Sequence, residues 1–224
     1  MHRVGKLCVA VLLSAMIFGS YAQKIGVKAG MNLSNMVMKD DDFTQSEDFK
    51  MKIGFNAGAS AEFPITEIFS VESGLMINTR GFTMEEKFTE MGETVEMKVS
   101  GNLLYLDIPV NAKVGYSMDN LKIYGSAGPY LGFGLSGNQK SETTFMGETQ
   151  KTDEDVEFGS DDNSDIKRMD LGLNLGAGVE FGSFQIGGSY GLSLLNNSPV
   201  DDNGATITHN VIAISLGYVF YGIN

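Results

Sequence analysis

The sequence has very little cysteine, tryptophan, proline or histidine. Among 224 residues there are one cysteine, no tryptophan, four prolines and two histidines. Cys8 lies in the N-terminal apolar segment, so the rest of the chain has no thiol and forms no disulfide. Stability therefore has to come from packing and backbone hydrogen bonds, which a closed sheet provides because every strand is paired on both sides.

Basic residues are also scarce. The chain has 16 Lys and Arg against 28 Asp and Glu, a formal net charge of −12. Nucleic-acid binding needs a basic surface, so this class of function is excluded. His209 is the only histidine beyond the N-terminal segment. One histidine makes no zinc site, and no serine or cysteine near it has the context of a catalytic triad. We expect no enzyme activity and no cofactor.

The N-terminal segment has the three parts of a secretory signal peptide. Arg3 and Lys6 form a basic start, and the apolar run over residues 7–18 follows. That run is too short for a membrane-spanning helix, which needs about 20 residues. Ser20 and Ala22 are small residues at the −3 and −1 positions of a cleavage site. An uncleaved N-terminal anchor is the alternative.

We therefore predict a signal peptide over residues 1–22 and one domain over residues 23–224. No second apolar run reaches the length of a transmembrane helix. Apolar residues instead alternate with small or polar ones, the period-two pattern of β-strands. Eight segments have this pattern: 24–35, 53–63, 69–77, 104–116, 121–135, 169–181, 184–194 and 212–220.

The two faces of these segments differ in composition. One face carries Leu, Ile, Val and Phe, and the other is rich in Gly, Asn and Ser. Glycine weakens an exposed strand but suits the narrow, curved inside of a small barrel. Very short connections alternate with long polar ones, as in outer-membrane barrels. The long connections are 36–51, 82–99, 137–167 and 196–208.

These patterns predict an all-β fold, an eight-stranded antiparallel up-and-down transmembrane β-barrel in the cell outer membrane. We expect a monomer embedded in the lipid bilayer and inserted by the barrel assembly machinery. Aromatic residues gather at the short-turn end, which is typical of an interfacial girdle. They are Phe63, Phe69, Tyr116, Phe181, Phe184, Tyr218 and Phe220.

Charged residues also occur on the face predicted to point inward. An eight-stranded lumen is barely wide enough for side chains, so such charges have to pair. We predict a structural charge network that stiffens the barrel, and a gated ion or proton path is the alternative reading. Its members are Lys28, Lys52, Glu62, Glu72, Arg80, Asp107, Lys113, Lys122, Arg168, Asp170 and Glu180.

Two of the long connections share a four-residue repeat, M-G-E-T, at 91–94 and at 146–149. We interpret both copies as hairpin tips, with strands that continue past the membrane. The acidic stretch 153–165 has part of the spacing of a calcium loop but lacks the required Gly and Glu. We therefore predict a solvated, partly disordered loop there, with a loose calcium site as the alternative.

Five stretches of the strands are distinctive: Y-L-D-I-P-V at 105–110, G-P-Y-L-G at 128–132, D-L-G-L-N-L-G-A-G-V-E-F at 170–181, Y-G-L at 190–192 and G-V-K-A-G-M-N at 26–32. With these stretches the chain resembles the PorT-like outer-membrane β-barrel proteins of Gram-negative bacteria. The resemblance covers nearly all of the chain after the signal. It implies a membrane barrel without enzyme activity and implies no specific role.

We accordingly expect a structural anchor that presents acidic extracellular hairpins to a protein or ligand. A small channel or a secretion-associated envelope component is one alternative. A soluble secreted barrel of the lipocalin type, with its apolar face turned inward, is another.

Overall fold

The computed structural model describes residues 24–39, 49–90, 93–161, 164–199 and 206–220. The predicted signal peptide and its cleavage site lie outside the described residues, as do parts of the connections 36–51 and 196–208. Within these ranges no helix is long and apolar enough to cross a membrane.

The described chain is built from nine β-strands. They are β1 (Lys24–Lys39), β2 (Phe49–Pro64), β3 (Phe69–Glu90), β4 (Glu93–Met118), β5 (Leu121–Phe145), β6 (Glu148–Asp155), β7 (Met169–Phe181), β8 (Phe184–Ser193) and β9 (Thr206–Phe220). Each strand lies antiparallel to its neighbours.

Eight of these strands form a closed ring. β1 pairs with β2, and the pairing then runs through β3, β4, β5, β7 and β8 to β9. β9 pairs back with β1 over fifteen residue pairs, from Ile25 opposite Phe220 to Lys39 opposite Thr206. The strands thus follow one another around the ring in chain order, with β6 left out of it.

The ninth strand, β6, pairs with β5 beyond the ring. Its residues, and those of β3 and β4 over 82–99, belong to segments that the sequence predicts as long connections. The hairpin interpretation of the M-G-E-T repeats agrees with this pairing, because both segments form long antiparallel ladders on the two sides of the repeats. The apolar alternation stops at these positions, but the β-prone Thr, Val and Phe continue and sustain pairing without a fully apolar face.

The two faces of the ring have opposite chemistry. Large apolar side chains point outward and are exposed, for example Ile214 (66%), Leu216 (63%) and Leu175 (59%). The buried charged and amide side chains, such as Arg80, Asp170 and Lys113, point inward. A lipocalin-type barrel requires the reverse arrangement, so this alternative is wrong.

The two ends of the ring also differ. At one end, the turn end, short connections join β2 to β3, β4 to β5 and β7 to β8. Exposed aromatic rings gather there, and Phe184, Tyr218 and Phe220 stack edge to face with centroids 5.1–5.4 Å apart. At the other end, the hairpin end, β3, β4, β5 and β6 extend beyond the ring.

The segment between β6 and β7 folds into the mouth of the ring at the hairpin end. Its described residues, 156–161 and 164–168, are called the plug segment below. Ile166 is buried in an apolar cluster with Met36, Phe82, Leu103 and Tyr105, and Val156 and Phe158 pack against it. The prediction of a solvated loop over 153–165 is therefore wrong for Val156 and Phe158, which pack against this cluster, whereas Glu157, Asp161 and Asp165 are exposed.

Candidate functional site

The interior of the ring contains two groups of paired charges. The first, called the Arg80 cluster, joins β3, β4 and β7. Arg80 Nη2 donates to Asp107 Oδ1 at 2.8 Å, and Arg80 Nη1 donates to Asp170 Oδ2 at 2.5 Å. The guanidinium carbon lies 4.1 Å from the ring centroid of Tyr105 and 5.3 Å from that of Tyr130. One planar cation thus bridges two carboxylates and contacts two aromatic rings.

Further hydrogen bonds occupy the remaining carboxylate oxygens of this cluster. Asn78 donates to Asp107 Oδ2 at 2.7 Å, and the Tyr130 hydroxyl donates to Asp170 Oδ2 at 2.9 Å. Ser193 also donates to Asp170, whose side chain is fully buried. A buried charge is tolerated when its partners satisfy it in this way.

The second group, called the Lys113 cluster, lies nearer the turn end. Lys113 Nζ donates to Glu62 Oε2 at 2.7 Å and to Glu180. It lies 3.6 Å from Glu72 Oε2, and Lys28 pairs with the same carboxylate at 2.5 Å. Its ammonium also lies 4.2 Å from the ring centroid of Tyr124. Six strands, β1, β2, β3, β4, β5 and β7, contribute charged groups to this cluster.

A small cavity of about 150 Å³ separates the two clusters. Members of both clusters line it, including Lys28, Glu72, Arg80 and Asp107, together with amide and hydroxyl side chains such as Asn174. The part of the interior between the two clusters is therefore lined by polar and charged side chains.

Nine of the eleven residues predicted for the charge network lie in these two clusters. Lys122 belongs to the second, since its Nζ lies 3.6 Å from Glu62 Oε1. Lys52 and Arg168 do not join either cluster. Lys52 donates to Ser100 Oγ and the Gly101 carbonyl near the hairpin end, and Arg168 is exposed and donates to the Phe158 carbonyl. For Arg168 the inward prediction is wrong, because it belongs to the plug segment rather than to β7.

Uncharged residues complete the clusters, and the charge pattern of the sequence does not reveal them. Ser193, Tyr130 and Asn197 all contact Asp170. For Ser193 and Tyr130, a position on the inward-facing side of a strand is the one sequence signal that indicates an interior role. Asn197 lies outside any strand, so no periodicity predicts its burial.

The stretch beyond the ring forms a second feature, called the protruding sheet below. It comprises residues 82–90 of β3, 93–101 of β4, 139–145 of β5 and the whole of β6. One of its faces carries cross-strand ion pairs: Lys50–Glu85 (2.6 Å), Lys98–Glu85 (2.9 Å), Lys87–Glu96 (2.5 Å), Lys151–Glu142 (2.7 Å) and Lys140–Asp153 (3.0 Å).

Three carboxyl groups in these ion pairs have lowered pKa values. Hydrogen bonds from Lys50 and Lys98 lower the pKa of Glu85 to about 2. The pKa of Glu142 is lowered by the hydrogen bond from Lys151, and that of Asp153 by the hydrogen bond from Lys140. The carboxylates of Glu85, Glu142 and Asp153 therefore stay ionised to a lower pH than usual.

The acidic stretch 153–165 does not assemble a metal site in the part of it that is described. Asp153 is paired with Lys140, and Asp165 accepts the backbone N–H of Glu157 at 2.8 Å. Across the described ranges, no three His, Cys, Asp or Glu side chains are grouped as they would be around a metal ion.

One protein family has a sequence model that matches this chain. The model of the outer membrane protein beta-barrel domain matches residues 21–198, which is well over half of the chain. A comparison with curated proteins gives no match.

Solved structures with similar folds include three small outer-membrane proteins. Ail of Yersinia pestis, in complex with the heparin analogue sucrose octasulfate, is 19% identical with a TM-score of 0.39, over 89% of this chain and 99% of that chain. OprG from Pseudomonas aeruginosa is 14% identical with a TM-score of 0.45, over 91% and 99%. Neisserial surface protein A is 10% identical with a TM-score of 0.39, over 88% and 97%. At these values the likeness carries no functional information.

Proposed function

The chain belongs to the outer membrane protein beta-barrel domain family and is located in the outer membrane, and from this premise we propose that it is a surface anchor. In this proposal the ring is an eight-stranded transmembrane β-barrel. It holds the protruding sheet outside the cell, where the sheet contacts an extracellular protein or ligand. The protein has no enzymatic role.

The lengths of three strands carry this proposal. A strand needs about 9–11 residues to cross a membrane. β3, β4 and β5 have 22, 26 and 25 residues, about twice that number. The pairing between β3 and β4 continues without a break from Met76 opposite Asp107 to Glu90 opposite Glu93. The extra length therefore forms one continuous sheet with the ring, and this makes the protruding sheet a stiff extension and not a loose loop.

The surface chemistry of the ring supports the membrane assignment. Outward side chains such as Ile214, Leu216 and Leu175 gain free energy from contact with acyl chains and would be costly to expose to water. The aromatic rings at the turn end suit the headgroup region, because aromatic side chains are enriched at the interface between the acyl chains and water. The turn end then lies in the periplasm, and the hairpin end faces outward.

The paired charges of the interior favour the role of an anchor over that of a channel. Paired charges on facing strands cross-link the ring from inside, so they resist the deformation of a narrow barrel. In this proposal the network of Lys28, Lys52, Glu62, Glu72, Arg80, Asp107, Lys113, Lys122, Asp170 and Glu180 is structural. The Arg80 and Lys113 clusters form the two layers of this network. Lys52 belongs to neither layer and donates its hydrogen bonds to Ser100 and Gly101 near the hairpin end.

The remaining parts of the proposal concern biogenesis. We propose that residues 1–22 are removed as a signal peptide, that the barrel assembly machinery inserts the chain, and that it functions as a monomer. A closed ring supports the last point, because it leaves no strand edge within the membrane for a second copy. The similarity to PorT-like proteins remains a prediction within the broader family.

Cysteine labelling of intact cells tests the orientation. In a Cys8→Ser background, Glu148→Cys places a thiol beside the β5–β6 turn and Asn120→Cys places one at the turn end; both positions are exposed. A membrane-impermeant maleimide is expected to label residue 148 on intact cells, and residue 120 only after the outer membrane is opened. Labelling of residue 120 alone on intact cells would reverse the proposed orientation.

A further inference from the structure

β6 is an open edge of the protruding sheet. Among the strands that the structure describes it pairs only with β5, over eight residue pairs from Asn138 opposite Asp155 to Phe145 opposite Glu148. All eight of its side chains are exposed. Within the described ranges, one side of β6 therefore has a row of backbone donors and acceptors with no strand beside it, the kind of edge that accepts another strand.

The turn geometry identifies which backbone groups face outward. Met146 and Gly147 have φ values of 50° and 80°, so they form a two-residue turn of the type that needs positive φ at both positions. The residues that flank such a turn, Phe145 and Glu148, form a hydrogen-bonded pair, and bonding then alternates along the ladder. The N–H and C=O groups of Thr149, Lys151, Asp153 and Asp155 accordingly point away from β5.

The charges of β6 specify the chemistry of a strand that would fit there. The strand contains Glu148, Asp153, Glu154 and Asp155 but only one basic residue, Lys151. Lys151 is already paired with Glu142 on β5. Residues directly opposite each other on paired strands share a face, and opposite charges there are stabilising. An incoming strand should therefore carry basic residues at alternate positions.

A second copy of the chain does not meet this requirement. Two paired copies of β6 would bring together eight carboxylates and only two lysine ammonium groups. Like charges opposite each other are destabilising, so the acidic edge disfavours self-association.

We propose that the open edge of β6 binds a basic, extended segment of a partner polypeptide, which joins the protruding sheet as an additional strand. Backbone hydrogen bonds to residues 149–155 provide the attachment, and Glu148, Glu154 and Asp155 select for basic side chains. This inference rests on the proposed function, which places β6 outside the cell.

Fluorescence anisotropy with the purified full chain in detergent tests the proposal. Two labelled eight-residue peptides serve as probes, one alternating Lys and Thr and the other alternating Glu and Thr. The basic peptide is expected to bind and the acidic peptide is not. Equal binding of both peptides, or no binding of the basic one, would overturn the proposal.

A matched pair of variants separates strand addition from simple charge attraction. Thr149→Pro removes an outward N–H, and Thr149→Val keeps that N–H while it removes the same hydroxyl. Proline is tolerated on an edge strand when its missing N–H faces solvent. The proline variant should bind the basic peptide about three- to tenfold more weakly than the valine variant. Equal affinity would show that charge alone attracts the peptide and would contradict strand addition.

A modified peptide gives the same distinction without relying on the folding of a variant. The basic peptide with its backbone nitrogens methylated keeps every charge but donates no backbone hydrogen bond. Loss of its binding to the wild-type chain is expected, and unchanged binding would refute the proposal. Because these measurements use protein in detergent, they are independent of the labelling of residue 148 on cells, so either can fail alone.

Discussion

Arg80 and Lys113 are the two central cations of the interior, and Arg80 is the planar one. It bridges Asp107 and Asp170 and contacts the rings of Tyr105 and Tyr130. Lysine cannot reproduce this arrangement, because an ammonium is a point charge without the planar fork of a guanidinium. The geometry therefore depends on arginine at this position.

Replacement of Arg80 by methionine should be strongly destabilising. It leaves two buried carboxylates without their cation, and loss of one partner of a buried ion pair costs about 3–5 kcal/mol. The free energy of unfolding can be measured by urea titration of the chain folded into lipid vesicles. Adding Asp107→Asn and Asp170→Asn to Arg80→Met should restore part of the loss.

Arg168→Met is the matched control. Arg168 is exposed and donates only one hydrogen bond that the structure gives, to the Phe158 carbonyl. Its replacement should cost less than about 1 kcal/mol. Equal costs for the two variants would contradict the assignment of Arg80 to a buried network.

The alternation of side chains along each strand indicates which charged residues point inward, but it does not indicate which of them contact one another. Arg80, Asp107 and Asp170 come from three strands, and their contact depends on the stagger between those strands. A single sequence does not give that stagger. Arg168 shows a second weakness of this reasoning. The alternating pattern predicts that Arg168 points inward, but β7 begins only at Met169, so the pattern does not apply to Arg168.

At the scale of elements, the ion pairs of the protruding sheet make its stability depend on pH. The folded-state pKa of Glu85, about 2, lies below its ordinary value near 4.5 because Lys50 and Lys98 donate hydrogen bonds to it. Its contribution to stability is therefore fully present above about pH 5 and is lost as the pH falls toward 2.

Amide hydrogen exchange of residues 82–90 can test this dependence. After correction for the intrinsic exchange rate, protection should decrease between pH 5 and pH 2.5 in the wild type. In Glu85→Gln the decrease should be smaller, since the neutral amide does not titrate. An identical decrease in the two proteins would show that Glu85 is not responsible.

The plug segment depends on a glycine of β5. A Cβ atom at Gly134 would overlap the ring of Phe158, which also packs edge to face on Tyr105 at 5.8 Å. Gly134→Ala should therefore displace the plug segment and accelerate trypsin cleavage after Lys167 and Arg168. The Phe158→Ala background removes the overlap, so Gly134→Ala should add little there. Equal acceleration in both backgrounds would exclude this contact as the cause.

The sequence predicts the ring strands well because each buries one apolar face in lipid and keeps a strict period of two. β6 and the outer parts of β3 and β4 do not bury such a face, and so the pattern fails to distinguish them from loops. The repeat at 91–94 and 146–149 was the useful signal there. The structure pairs strands on both sides of each copy, although Met91 and Gly92 themselves lie outside the described residues.

At the scale of the whole molecule, the architecture predicts a closed pore. The Arg80 and Lys113 clusters cross the interior, and the plug segment covers the hairpin end. The purified protein should show no steady ion conductance in planar bilayers. Stable conductance steps in the wild type would favour the channel alternative and contradict a purely structural interior.

Composition and alternation were sufficient to predict the ring, its polar inside and its apolar outside. They do not identify a partner. They also do not predict the plug segment, since its anchoring residues, Val156, Phe158 and Ile166, are isolated within an acidic stretch.

The central claim is that the apolar outer face of the ring contacts acyl chains. The chain has no tryptophan, so single tryptophans can be introduced without background in Leu175→Trp, Ile214→Trp and, as a control in the protruding sheet, Glu148→Trp. In vesicles of lipids brominated on their acyl chains, fluorescence at residues 175 and 214 should be strongly quenched and that at residue 148 should not. Unquenched emission from residues 175 and 214 in the folded protein would contradict the account.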